Sequence, residues 1–299
     1  MPGAPTARSD DMPKSEQSDP FPLMENMTVS QVRKYLAKKQ SVIVPLGVIE
    51  QHGYHLPLKT DALIAAHLAA RIGRQTQILV APTIAQSFSG GGLPGTINIS
   101  PAVMSLLVSD TLLSLAAQGF RNFYLFLCHG GSENARALEG ALKLLLRTNP
   151  TFENSMIALL PVWKFQQYPD GWARAIQEGD WHAGWLETSL VMALEPELVR
   201  MEDLRLDPQP LLEEQIAHPD NYQCAEKIVD DPFVIPRLTQ RPEIEVGVMG
   251  HPGKASPEAG QEIANHIVQE VAEKIEELES KCDRCYRRVP FVPEPLILS

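Results

Sequence analysis

The chain has 299 residues, 44% hydrophobic and 21% charged, the profile of a globular protein with enough apolar side chain to bury a sizeable core. A formal charge of -11 argues against a nucleic-acid ligand, which demands a basic face, and four cysteines in a chain this long make no disulfide framework. No apolar run in the sequence approaches the roughly 20 residues that span a bilayer, and the opening "MPGAPTARSDDMPKSEQSDP" lacks the apolar stretch of a secretory signal, so a cytoplasmic protein with no membrane or nucleic-acid partner is expected.

Residues 1–25 are rich in Pro, Ser and Asp and are expected to be a disordered tail, followed by one domain over 26–285 and a C-terminal tail over 286–299. "TVSQVRKYLAKK" (28–39) predicts a first helix. The short apolar runs "SVIVPLG" (41–47), "QILVAP" (77–82), "NFYLFLC" (122–128) and "MIALLPV" (156–162) have the length and composition of strands buried on both faces. Between them lie helical segments. "TDALIAAHLAARIGRQ" (60–75) has Thr60 or Asp61 as N-cap, and the segment 100–119 has Ser100 as N-cap, Pro101 in the first turn and Gly119 at its stop. "ENARALEGALKLLLR" (133–147) places Ala137, Leu138, Ala141 and Leu144 or Leu145 on one face. A last long helix, about 257–280, carries a stripe of Ala264, Ile267, Val268, Val271, Ile275 and Leu278. Strands alternating with helices imply an α/β fold, a single domain with a mainly parallel sheet flanked by helices. Residues 207–256, interrupted by many prolines, read as an irregular excursion.

In open α/β sheets ligands bind beyond the carboxyl ends of the strands, and the reactive residues of this chain follow its strands. The first strand runs into "EQHGYHLPLKTD", with Glu50, His52, His55 and Asp61; the second into "QSFSGGGLPGT"; the third ends in "CHGGSEN", with His129 and Glu133; the fourth leads to "VWKF". Glu50 and His52 point to one side if that segment is extended, since side chains alternate with a period of two. A carboxylate, an imidazole and a second carboxylate suit Zn or Mn; histidines that merely bond the backbone of a polar loop are the plainer alternative. Ser132 and Asn134 are equally well explained as helix caps, and Cys128 as a small buried residue. "HAGWLETS" adds His182, a candidate general acid or base, and Glu187, which is open between a metal ligand, a partner orienting His182 and a first-turn helix carboxylate. His67 and His266 read as surface or interface residues, His218 and His251 lie in the proline-rich excursion, and the lone Cys282/Cys285 pair lacks the second half of a zinc ribbon.

With these residues in place, the sequence resembles the creatininase (creatinine amidohydrolase) family from about Thr28 to the last helix. "VPLGVIEQHGYHLPLKTD" looks like the family's first signature; "CHGGSEN", "HAGWLETSLVMALEPELV" and "GHPGKASPEAGQ" echo the later ones in order, and "SGGGLPGT" and "LLPVWKF" resemble its substrate loop and tryptophan segment. The resemblance implies an α/β hydrolase with two divalent ions per chain (Zn, Mn or Fe), commonly a homo-oligomer. It makes Glu50 a ligand of one metal, His52 of the other, Asp61 the bridge, and His129 the next ligand. Glu133 resembles a further metal carboxylate, His182 matches the family's proton-transfer histidine, and Ser89 and Trp163 resemble substrate contacts; Glu187 is taken with His182 as a catalytic candidate. Two departures stand out: two extra residues separate His129 from Asn134, and the glycine-rich loop is shorter than creatininase's and lacks its histidine. They argue against creatinine as substrate. The activity implied is hydrolysis of a small cyclic amide or related carbonyl compound by metal-activated hydroxide, with ring opening of an oxidised inositol as the alternative. A serine hydrolase using Ser89 or Ser132 lacks the G-x-S-x-G elbow, and a metabolite-binding protein that lost its chemistry sits poorly with the complete residue set.

Overall fold

The computed structural model describes residues 23–291; most of the expected N-terminal tail and the end of the C-terminal one lie outside them. Four strands, β1 (Ser41–Leu46), β2 (Leu79–Val80), β3 (Asn122–Leu127) and β4 (Met156–Pro161), form an all-parallel sheet in the order β2-β1-β3-β4. β1 and β3 pair along their full length, from Ser41 opposite Asn122 to Leu46 opposite Leu127, and both are buried at every residue. That explains their continuous apolar reading: each alternate face meets a helical layer. β2 is only two residues, shorter than the run 77–82 suggested; beyond it Ala81 N–H still donates to the Ile43 carbonyl (2.8 Å), and the chain meets β1 again at the isolated bridge Leu46–Ile84.

Two cores result. Val42, Val44, Leu46, Phe123, Leu125 and Leu127 face α3 (Pro101–Gln118) and α4 (Ser132–Thr148). Ile43, Tyr124 and Phe126 face α2 (Thr60–Thr76), α6 (Trp185–Leu194) and α8 (Pro257–Lys281). The sheet is thus an α/β sandwich within one domain, preceded by a short α1 (Val29–Leu36) whose Thr28 and Gln31 form a capping box. Lys59, not Thr60 or Asp61, occupies the N-cap of α2, so Asp61 falls in the first turn with its side chain free for other partners. Gly119 closes α3 in the left-handed region, as its position predicts. α3 is long and apolar enough to meet the length and composition test for a membrane span, but Met104, Val108, Leu112 and Leu115 pack on the sheet as in any covering helix. α4 buries Ala135, Leu138, Leu142 and Leu145, whereas Leu144 is exposed, so its inner face is rotated from the one the sequence suggested.

α8 crosses α2 and α6, burying Ile263, Ala264, Ile267, Val268, Val271 and Ile275. Gly260 lets it approach α6 so closely that a Cβ would lie 1.8 Å from the Ser189 carbonyl oxygen. Its last turn reaches the amino ends of the strands, where the Glu279 carboxylate accepts hydrogen bonds from Ser41 Oγ (2.6 Å), Asn122 Nδ2 (3.0 Å) and Tyr124 OH (2.6 Å).

The proline-rich excursion is more ordered than its sequence suggests. It holds α7 (Gln209–Ala217) and an antiparallel pair, β5 (Gln223–Glu226) and β6 (Arg237–Gln240); α5 (Trp172–Glu178) precedes α6 on the way to it. Pro208 sits at the N-cap of α7 and Pro210 in its first turn, where a missing N–H costs nothing. Asp207 accepts hydrogen bonds from the backbone N–H groups of Glu245, Val246 and Gly247 (2.8–3.1 Å), and Gln240 Oε1 accepts one from Gly92 N–H (2.9 Å), which ties the segment to the glycine-rich loop.

Candidate metal centre

β2 lies on one side of β1 and β3 on the other, so successive crossovers diverge between β1 and β3; a crevice opens there at the carboxyl edge. The segments leaving these two strands carry Glu50, His52 and His129. Asp61 arrives from α2, whose start is pressed against the end of β1. A Cβ on Gly47 would lie 2.5 Å from the Ala62 backbone nitrogen, so glycine at this position is what allows Asp61 into the crevice. α6 contributes Glu187 from its first turn, and the loop before it contributes His182.

These side chains converge. The Asp61 carboxylate is divided between two imidazoles, Oδ1 lying 3.1 Å from His52 Nε2 and Oδ2 2.9 Å from His129 Nδ1. Glu50 Oε1 lies 3.2 Å from the same His129 nitrogen, and Glu187 Oε2 lies 3.7 Å from His52 Nε2. Two groups that could hold a metal ion share Asp61: Glu50–Asp61–His129 and His52–Asp61–Glu187. A third is Glu50–His52–His182. Within each group the potential ligand atoms all lie within 4.8 Å of one another. His52 Nδ1 is 3.2 Å from the Glu50 carbonyl oxygen, which can only accept, so Nδ1 carries the proton and Nε2 is left for a ligand bond.

The electrostatics ask for positive charge. Three carboxylates, Glu50, Asp61 and Glu187, are buried together. Burial would push the His52 imidazole down, but Asp61, Glu187 and Glu50 raise it to about 10. His129 is likewise raised against its burial by Glu50 and Asp61. Burial, aided by Asp61 and Glu50, outweighs His52 at Glu187, lifting it to about 8, while at Glu50 burial is overcome by His129 and His182 and the carboxyl lies well below its ordinary range. Without a cation, protons on His52 and His129 are what balance the site. A hard-to-borderline divalent ion matches this carboxylate and imidazole donor set.

His182 stands at the edge of the cluster. Its Nε2 lies 2.7 Å from the Gln51 carbonyl oxygen, so Nε2 donates there and Nδ1 is the unprotonated atom, 3.7 Å from Glu50 Oε1. Burial and the charge on His52 push this imidazole down to about 4, which keeps it neutral. Between His182 and α6, Ala183 adopts a positive φ of 52°, and its N–H donates to Glu187 Oε2 (2.7 Å). That backbone strain aims both residues into one crevice.

The cluster forms the floor of a cavity of about 330 Å³, which Ser89 and Trp163 also line, together with Trp172, Trp181, Gln215 and Tyr222. Glu133 is elsewhere. It is exposed in the first turn of α4 and belongs to none of the three groups. Adjacent helical residues differ by about 100° in direction, and the neighbouring Asn134 points inward, its Nδ2 donating to Ser87 Oγ and the Phe88 carbonyl. Glu133 therefore points out, whereas Glu187 belongs to one of the three groups. Gly131, not Ser132 or Asn134, caps α4. No imidazole is hydrogen-bonded to the Ser89 or Ser132 hydroxyl among the described residues, so neither serine has the adjacent base a nucleophile needs. His55 is buried against Thr188 Oγ1 (3.0 Å), His67 pairs with Glu195 and His266 stacks on Tyr168. Sequence reasoning missed Gln51, which lies inside the first motif and orients His182, and the whole contribution of α7 and β6, which no motif marks.

A family model described as creatininase, creatinine amidohydrolase, matches residues 25–275. The chain belongs to the creatininase family. As a member it is a hydrolase, and two relatives bracket it. One is the creatinine amidohydrolase of Pseudomonas putida, 28% identical over 253 residues, covering 79% of this chain and 88% of the relative. The other is the mycofactocin precursor peptide peptidase of Mycolicibacterium smegmatis, 28% identical over 247 residues, covering 78% and 83%. Among solved structures, a creatinine amidohydrolase (creatininase) superposes with a TM-score of 0.65 at 23% identity over 85% of this chain and 96% of that one, the same fold.

Proposed function

We propose that this creatininase-family member is a dinuclear metal-dependent hydrolase of a small cyclic amide or related carbonyl compound. The observation that carries the reading is the Asp61 carboxylate, whose two oxygens face His52 and His129 separately. Glu50, Asp61 and His129 would hold one ion; His52, Asp61 and Glu187 the other. Bound there, Zn, Mn or Fe supplies a Lewis acid for the carbonyl and a water acidified toward neutrality.

The chain's own residues do the rest. His182, locked by the Gln51 carbonyl, presents Nδ1 toward Glu50 and the cavity, where it can take a proton and return it to the leaving nitrogen. Gln51 Nε2 donates to the Gly247 carbonyl (3.1 Å), which fixes the loop that carries it. Trp163, Trp172 and Trp181 give the cavity flat apolar walls, with Leu93, Ile176 and Met249 beside them. Such walls suit a planar amide better than a polyol ring, which ranks the oxidised-inositol substrate second. Val103 and Leu106 on α3 and Leu144 on α4, all exposed, support a homo-oligomer.

Elemental analysis of purified protein, before and after chelation, tests the assignment. About two equivalents of metal per chain are expected. Asp61→Ala should remove both ions and the activity while sparing most of the fold; unchanged metal occupancy in that variant would show that Asp61 is no bridge. A panel of cyclic amides, formamides and inosose-like ketones on the metal-loaded enzyme then separates the substrate classes.

A further inference from the structure

The cavity floor is explained by metal chemistry, but part of its wall is not. Gln215, on α7, is 0% exposed and lines the cavity, yet neither Nε2 nor Oε1 of its carboxamide has a hydrogen-bond partner. Trp172, at the start of α5, lines the same cavity with a buried indole Nε1 that also lacks one. Buried polar groups are nearly always paired, because an unmade bond leaves the desolvation cost uncompensated. The same region satisfies a comparable group without difficulty: Trp181 Nε1, also on the cavity, donates to the Ile216 carbonyl of α7 at 2.8 Å. A donor and an acceptor left open on one side chain, with a second open donor lining the same cavity, are places a bound ligand could fill.

We propose that Gln215, with Trp172, is a specificity-determining pair that reads the edge of a neutral cis-amide group, one N–H beside one C=O, as found in lactams, cyclic imides and cyclic ureides. The assignment rests on the hydrolase reading above for its chemistry. A carboxamide meets such an edge through two antiparallel hydrogen bonds, Nε2–H to the substrate carbonyl and substrate N–H to Oε1. Trp172 N–H is then free for a second carbonyl oxygen. The terminal torsion of glutamine is soft, so the amide plane can adjust to such an edge. A carboxylate would meet Oε1 with no proton to offer, and a simple ketone would leave Oε1 unpaired. Selection against both follows from the pairing.

The test is Gln215→Met, which keeps the side-chain volume and removes both open groups. Hydantoin, a small cyclic ureide, is titrated into metal-loaded protein by tryptophan fluorescence, with cyclopentanone as a ring lacking the N–H. Hydantoin affinity should fall by about tenfold or more, cyclopentanone binding should stay as it was, and Tm should rise by about 2–4 °C because an unpaired buried amide has been removed. Trp172→Phe, which keeps an aromatic ring and loses the N–H, should weaken hydantoin alone. A fall in Tm or failure to fold in Gln215→Met would make the amide a structural group and overturn the proposal. So would unchanged hydantoin affinity, an equal loss for cyclopentanone, or no hydantoin binding to wild-type protein. Metal analysis of the same samples keeps the two readings apart: wild-type protein that holds metal and ignores hydantoin sinks only this assignment, and protein that binds hydantoin but no metal sinks only the dinuclear one.

Discussion

Gly47→Ala probes the junction of fold and site. The added Cβ would lie 2.5 Å from Ala62 N, 2.6 Å from Ala62 Cα and 2.7 Å from the Asp61 carbonyl carbon, all main-chain atoms in the first turn of α2. Carbon contacts normally settle near 3.5–4.0 Å, so the start of α2 must retreat by roughly 1 Å. Forcing an extra methyl into a packed core costs about 1–3 kcal/mol, and a backbone neighbour that cannot rotate away places this case at the upper end. For a chain of this size each kcal/mol is worth roughly 2–4 °C, so Tm should fall by about 6–12 °C. Asp61 moves with the helix, and a displacement of about 1 Å in a reacting constellation can cost on the order of 100-fold in rate. Thermal unfolding by circular dichroism reads the first effect, and the hydrolysis rate, with elemental analysis on the same preparation, reads the second. A variant with unchanged Tm and full metal content would refute the claim that this contact places Asp61.

Other expectations are simpler. Glu133→Gln should leave metal content and activity as they are, since the side chain is exposed on α4; a loss of metal would return Glu133 to the ligand set. Burial, and then the charge on His52, push the His55 imidazole down to about 4. A depressed histidine contributes stability above its unfolded value near 6.5 and loses it as pH falls through about 4. In the metal-free protein His55→Gln should therefore show a smaller drop in Tm between about pH 7 and pH 4.5 than wild type; equal drops would mean that His55 is not held neutral. Chelation of wild-type protein should abolish hydrolysis and added Zn or Mn should restore it, with the rate on a cyclic amide as the readout.

Much of this architecture could be read from the sequence because its signals are local. The four apolar runs became the four strands, and Pro101 and Gly119 bracket α3. The first motif places Glu50, His52 and Asp61 within a dozen residues, so their convergence was foreshadowed by spacing. Glu133 and Glu187 were not separable in that way. Both are early-turn helix carboxylates, and only the rotation of each helix about its axis turns one inward and the other out. α7 and the β5–β6 pair were hidden by prolines that proved to sit at an N-cap, in a first turn and between elements, where proline does no harm. Gln215 had no signal at all, because a buried unpaired amide is visible only once its surroundings are known.

The position of α8 has a consequence for how the protein is made. One face of the sheet, with Ile43, Tyr124 and Phe126, shares its core with α2, α6 and the stripe of α8 that begins at Ile263. Ribosomes deliver residues in order, so the sheet and the metal-binding motifs emerge well before that last cover. Until Glu279 reaches the feet of β1 and β3, the nascent chain displays a half-dressed apolar surface of the kind chaperones recognise. Closure of this core therefore waits for residues 257–281, and a chain cut short before Pro257 should leave that face of the sheet uncovered.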